Sequence, residues 1–218
     1  MRLYLGNGAG TMKPSRRKTT SSKKKPAVGI LGGIFNPIHN GHCAAACLAR
    51  DYFGLEKVYL VPSGIPPHKY NEGIACARDR LAMTELAARG SDSLLVWDGE
   101  IRRGGVSYTV DTIRAIAARH LSRRLFFIIG SDNLPEIVTW HCFRDILAAV
   151  TLCVAHRPGH SFAVPPDLGA ADIRVFPSPE WGISSTMIRR YLGKGYSCEH
   201  LLPAGVVRYI TRHGLYKK

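Results

Sequence analysis

Short, uninterrupted apolar runs alternate along this chain with longer stretches whose apolar residues recur every three or four positions. The runs at 27–31 (AVGIL), 57–62 (KVYLVP), 94–98 (LLVWD), 124–130 (RLFFIIG), within 148–155 (AAVTLCVA) and at 173–176 predict six strands. Helices are predicted from Gly41 to about Tyr52, at 75–89, 109–120 and 143–147, and at 185–192 and 202–213, the last two ending before Gly193 and Gly214. Strands that are apolar throughout belong to a sheet covered on both faces. Helices between such strands predict an open α/β fold, mainly parallel. Ligands of such sheets bind beyond the carboxyl ends of the strands, beside the switch point, so the loops after strands one, two and four carry the interest. No internal repeat is visible.

The pattern starts only at Ala27. Residues 1–26 are rich in Gly, Ser, Thr, Lys and Pro without apolar periodicity, which predicts a disordered basic arm ahead of a domain spanning 27–218. Charge changes the picture most here. The 218 residues carry 30 Lys+Arg against 16 Asp+Glu, a net charge of +14, which first points to nucleic acid or an anionic surface. Eight of the basic residues and no acid fall within 1–25, leaving +6 for the rest. The arm is a nucleic-acid contact, a solvated leader, or a stretch upstream of a start at Met12.

An apolar fraction of 45% fits a globular domain. No apolar run approaches the ~18 residues of a spanning helix, and the polar first residues lack the apolar segment of a secretory signal. The six cysteines, Cys43, Cys47, Cys76, Cys142, Cys153 and Cys198, contain no CxxC pair. They read as buried free thiols in a reducing compartment, hence a cytoplasmic address.

Candidate chemistry concentrates after the first strand, in Gly32-Gly33-Ile34-Phe35-Asn36-Pro37-Ile38-His39-Asn40-Gly41-His42. This is neither GxGxxG nor a Walker loop. His39 and His42, three residues apart at the mouth of a helix, share one face. The helix start adds free N–H donors and a positive dipole end, and Gly32 and Gly33 leave bare backbone for close approach. Such a cluster suits polyphosphate charge growing in a transition state; the alternatives are a helix cap or a structural metal. Near the other end, Ile183-Ser184-Ser185-Thr186-Met187-Ile188-Arg189 places an N-cap serine before an amphipathic turn and an arginine able to reach a phosphate.

The first block resembles the GGxFxPxHxGH signature of the HxGH nucleotidyltransferases, and the second resembles their ISxTxxR motif. Pro66-Pro67-His68-Lys69, Ser107-Tyr108-Thr109, Asp111-Thr112, Gly130-Ser131-Asp132, Trp140, Arg157-Pro158-Gly159, Leu201-Leu202-Pro203 and His213-Gly214-Leu215-Tyr216 follow in order. Together they look like bacterial nicotinate mononucleotide adenylyltransferase, from about residue 27 to the end. The resemblance implies a Rossmann-like fold of the HxGH nucleotidyltransferase type. It also implies a reaction joining ATP and nicotinate mononucleotide into nicotinate adenine dinucleotide and pyrophosphate, with Mg²⁺ on the phosphates and no carboxylate cage.

By the same resemblance, Gly32, Gly33, Phe35, His39, His42, Ser184, Thr186 and Arg189 would meet ATP. Asn36, Lys69, Thr109, Asp132 and Trp140 would meet the mononucleotide. Catalysis would fall to His39, His42, Lys69 and Arg189. Trp140 is either a stacking platform or a core residue, and Asp132 either a site acid or a helix cap. Three positions depart from the pattern: Ile34 for Thr or Ser, Asn36 for Asp, and His141 for Tyr. Other readings are adenylylation of nicotinamide mononucleotide or phosphopantetheine, or a basic nucleic-acid-binding protein. The short chain and the lack of a KMSKS-like loop argue against a class I aminoacyl-tRNA synthetase.

Overall fold

The computed structural model describes residues 26–65, 73–156, 163–169, 171–179 and 182–217. The expected arm and Lys69 lie outside the described residues. Strands β1 (Ala27–Gly33), β2 (Lys57–Pro62), β3 (Leu94–Val96), β4 (Arg124–Gly130), β5 (Thr151–His156) and β6 (Ile173–Pro177) form one sheet in the order β3-β2-β1-β4-β5-β6. Every neighbouring pair is parallel. β1 is central, with Ile30 opposite Tyr59 of β2 and Phe127 of β4.

Helices α1 (Asn40–Phe53), α2 (Ala77–Ala88), α3 (Gly99–Arg103), α4 (Thr109–Arg119), α5 (Phe143–Ala149), α6 (Ser185–Gly193) and α7 (Ala204–His213) complete the fold. Successive residues of a strand face opposite sides. Phe126 and Ile128 of β4 join Ala46 of α1, Met83 of α2, Ile188 of α6 and Ile210 of α7. Leu125, Phe127 and Ile129 join Ile113 and Ile116 of α4 and Ile146 of α5. Both faces are apolar because both are covered, and so the strands read as unbroken apolar runs. Each fully buried side chain of this kind contributes about 1.5–3 kcal/mol, which makes the sheet a firm base for the loops at its edge. The chain leaves β1 through α1 toward β2 on one side and leaves β4 through α5 toward β5 on the other. The ends of β1 and β4 are therefore the switch point, where sheets of this order bind their ligands.

Local differences from the expected elements have local causes. β3 ends at Val96, before the expected 98; the Trp97 N–H still donates to the Leu60 carbonyl at 3.0 Å, but the chain then turns into α3. α3 is too short to show a helical period in sequence, and an ion pair from Arg102 to Asp98 at 3.0 Å spans its one turn. α2 starts at Ala77 because Cys76 takes the N-cap position, its Sγ accepting from the Asp79 N–H. Of the six free cysteines, Cys153 and Cys198 are buried and Cys43 and Cys47 half-buried, whereas Cys76 and Cys142 are exposed, contrary to the expectation of burial throughout. Those two sit on loop ends outside the apolar runs, where the sheet and helices do not cover them. Burial, reinforced by Cys47, pushes the Cys43 thiol up to about 11. Among the described residues, no helix is long and apolar enough to cross a membrane.

Candidate active site

At the end of β1 the chain folds back on itself. A Cβ at Gly33 would lie 2.7 Å from the Phe35 ring, so only glycine lets that ring close over the strand end. Phe35 itself takes a positive φ of 51°, a conformation uncommon for a side-chain-bearing residue. Its ring is only 2% exposed and meets His42 edge-on, with centroids 5.0 Å apart. Phe35 was expected at ATP; its ring instead backs the histidine pair from inside the core.

His39 holds the N-cap position of α1, and His42 stands one turn on. The His39 main-chain N–H donates to His42 Nδ1 at 3.2 Å, and the two rings stack with centroids 3.6 Å apart. The helix cap, one of the alternatives open in sequence, is thus present. An accepting Nδ1 leaves the proton of a neutral imidazole on Nε2, as a donor. Burial above all, and then the neighbouring His39, hold the His42 imidazole well below its ordinary pKa. His42 is therefore neutral at physiological pH and presents a donor without carrying a charge.

The loop between β1 and α1 is laced down by side chains from distant elements. Arg80 of α2, 2% exposed, donates from Nη1 to the carbonyls of Ile34 at 2.8 Å and Ser63 at 2.6 Å. It also donates to Gly64 O at 2.8 Å and Ala75 O at 3.1 Å. One buried guanidinium thereby ties the loop after β1 to the loop after β2. Burial lowers the Arg80 pKa, an effect opposed by groups that include Glu100. Glu100, also buried, accepts from the Thr112 hydroxyl of α4 at 2.5 Å. Burial raises its carboxyl pKa against that hydrogen bond. The backbone at Gly64 lies so close to α3 that a Cβ there would stand 2.9 Å from the Glu100 carbonyl. Neither Arg80 nor Glu100 belonged to a motif, and an isolated charge on a helix carries no sign of burial in sequence.

Asn36, expected on the mononucleotide side, is 4% exposed and fully engaged inside the protein. Its Nδ2 donates to Gly73 O at 3.2 Å, while its Oδ1 accepts from the Ala75 N–H at 3.0 Å and the Tyr216 hydroxyl at 2.7 Å. An aspartate could not make the donation to Gly73, which gives the departure from the family pattern a structural use.

The second motif docks on the same loop. Ser184 caps α6, accepting from the Met187 N–H at 3.1 Å. The Ser185 hydroxyl donates to Pro37 O at 2.9 Å, and Arg189 donates to Asn36 O at 2.8 Å and Thr186 Oγ1 at 3.3 Å. His39, His42, Ser184, Thr186 and Arg189 thus come together, with the exposed backbone of Gly32 and half-buried Gly33 at the adjoining end of β1. A guanidinium carries five N–H donors, so Arg189 retains some beyond those two bonds.

On the other side of the switch point, Asp132 lies in a 3-10 turn, Ser131–Asn133, directly after β4. It is exposed, and Gly130 occupies the N-cap position, so the cap role is not its own. Trp140 is half-buried and meets Phe127 of β4 edge-on at 6.0 Å, which anchors the indole in the core while leaving part of it open. Thr109 is the first residue of α4. Its neighbour Tyr108 packs against His141, ring centroids 4.4 Å apart, and this contact joins the Thr109 and Trp140 segments. His141, a departure from the family pattern, holds the two loops together. Among the described residues, no group of three His, Cys, Asp or Glu side chains is placed to hold a metal ion.

A family model of cytidylyltransferase-like proteins matches residues 30–191. The probable nicotinate-nucleotide adenylyltransferase of Halalkalibacterium halodurans is 41% identical over 191 residues, covering 87% of this chain and 91% of that protein. The protein of the same description from Salinibacter ruber is 38% identical over 190 residues, covering 87% and 97%. In fold, the chain is similar to Plasmodium falciparum nicotinic acid mononucleotide adenylyltransferase complexed with NaAD. There the TM-score is 0.71 at 17% identity, covering 88% of this chain and 97% of that one. With nearly nine-tenths of its length aligned at about two residues in five, the chain belongs to the nicotinate-nucleotide adenylyltransferase family of cytidylyltransferase-like proteins.

Proposed function

We propose that the protein transfers the adenylyl group of ATP to nicotinate mononucleotide, forming nicotinate adenine dinucleotide and pyrophosphate in NAD biosynthesis. The observation that carries this reading is the stacked His39–His42 pair at the mouth of α1, with the α6 arm hydrogen-bonded to the same loop. A 5′-phosphate oxygen of the mononucleotide attacks the α-phosphorus of ATP in line. One P–O bond forms as the bond to the bridging oxygen of pyrophosphate breaks, and that oxygen takes the electron pair. No covalent intermediate with the protein is needed. The protein's part is positioning and charge stabilisation.

His42 donates from Nε2 to phosphate oxygen, beside His39 and the positive dipole end of α1. Gly32 and Gly33 offer main chain without side-chain obstruction. Ser184, Thr186 and Arg189 hold the triphosphate from the α6 side, Arg189 with its remaining donors. Trp140 presents an indole face to the pyridine ring, with Thr109 and Asp132 at the margins of that site. By the family resemblance, Lys69 would contribute a further positive charge. Mg²⁺ would come with ATP and would supply positive charge to its phosphates. A residual charge of +6 outside residues 1–25 suits substrates that are all phosphorylated. Free thiols fit a reducing, cytoplasmic setting.

The test is pyrophosphate release from ATP and Mg²⁺ with nicotinate mononucleotide, nicotinamide mononucleotide or phosphopantetheine under identical conditions. The expected result is turnover with the nicotinate compound well above the other two. Release with none of them would sink the reading.

A further inference from the structure

We propose that Tyr216, in the turn after α7, is a positioning residue for adenylyl transfer: its hydroxyl bond to Asn36 fixes the loop that carries His39 and receives Arg189. The inference rests on the activity proposed above.

Asn36 is the centre of this arrangement. It lies three residues before His39, and its main-chain carbonyl accepts from Arg189 at 2.8 Å. Its buried side chain has one acceptor atom, Oδ1, which takes the Tyr216 hydroxyl at 2.7 Å and the Ala75 N–H at 3.0 Å. The shorter of the two bonds comes from a residue 180 positions away. The orientation of the Asn36 peptide, and hence the direction in which Arg189 is held, depends on a side chain of the C-terminal His213-Gly214-Leu215-Tyr216 segment.

Three further observations point the same way. Tyr216 adopts a φ of 64°, left-handed backbone that a side-chain-bearing residue rarely takes and that needs a compensating interaction. Its main chain abuts the end of α6: a Cβ at Gly193 would lie 3.5 Å from the Tyr216 carbonyl. Tyr216 therefore touches the helix that carries Arg189 as well as the loop that binds it. Burial also raises the phenol pKa, against the opposing pull of Arg189 and Arg80. The hydroxyl thus remains a donor at any working pH.

A purely structural tyrosine would affect stability and leave turnover per folded molecule unchanged. A positioning tyrosine lowers turnover while the protein stays folded. The experiment compares wild type, Tyr216→Phe and Tyr196→Phe, the last removing a hydroxyl from an exposed tyrosine as a control. Steady-state kinetics with ATP and nicotinate mononucleotide are measured alongside thermal unfolding. Tyr216→Phe is expected to lower kcat about five- to tenfold, the loss of one hydrogen bond from the active arrangement. KM for ATP should stay within about twofold, with melting temperatures near wild type. In a double-mutant cycle, Tyr216→Phe should add little once Asn36→Ala is present, because the hydroxyl acts through Asn36. Equal kcat for wild type and Tyr216→Phe overturns the inference alone. An inactive wild type overturns the activity, and the inference with it.

Discussion

The two sides of the switch point are built differently. Around β1 and α6, buried hydrogen bonds fix the backbone: Arg80, Arg189, Ser185 and Tyr216 all reach the loop 34–38 from other elements. After β4, Asp132 is exposed, Trp140 is half-buried against the core beside Phe127, and the two loops meet through the Tyr108–His141 contact. The first side is rigid because each contact satisfies a polar group that burial would otherwise penalise. The second is held mainly by ring contacts, which are less directional than hydrogen bonds. A triphosphate whose charge must be met in the transition state favours the first kind of site. An acceptor ring that must be admitted, oriented and released favours the second.

Substitutions on the two sides should therefore fail differently. The largest effect is expected at His42→Ala: kcat lower by roughly 10³-fold or more, because a donor to developing charge is lost. Far-UV circular dichroism should match wild type, and near-normal turnover would remove His42 from the mechanism. Next comes Arg80→Met, which leaves four wholly or partly buried carbonyls without their donor. A loss of about 2–5 kcal/mol in urea unfolding is expected; a loss below 1 kcal/mol would mean that the loops do not depend on the guanidinium.

Across the switch point, Trp140→Ala should chiefly raise KM for the mononucleotide, by about tenfold, with stability reduced only modestly. An unchanged KM would make Trp140 a core residue only. The smallest effect is a pH slope. His42 has a folded-state pKa below the unfolded imidazole value, so between the two values the unfolded chain binds more protons. Stability is then complete above about pH 6.5 and falls as pH drops toward the lowered folded pKa. His42→Gln should flatten that slope in unfolding curves taken from pH 7.5 to 5.5, and an identical slope would contradict the lowered pKa.

Much of the framework was legible before any coordinates. Six apolar runs became six parallel strands, because burial on both faces leaves a continuous hydrophobic signal. Ser184 was readable as a cap because an N-cap is a local choice made within one turn. The roles of Phe35, Asn36, Arg80 and Tyr216 were not readable in this way. Phe35 and Asn36 sit inside the signature, where the family resemblance implies contacts with ligands; their burial is visible only in the structure. Arg80 lies on the same helix as the exposed Arg78 and Glu85, and nothing local separates a buried arginine from an exposed one.

The sequence by itself determined the α/β architecture, the switch point as the place of binding, and the two motifs that meet there. Those features follow from local propensity, apolar periodicity and short-range spacing. Only the tertiary structure decided which motif residues are buried in support of the loop after β1. It also decided that guanidiniums of α2 and α6 hold that loop through its carbonyls. The physical reason is that hydrogen bonds to main-chain carbonyls have no residue-type signature on the accepting side. Their acceptors can be named only when the chain has brought donor and carbonyl within about 3 Å of each other.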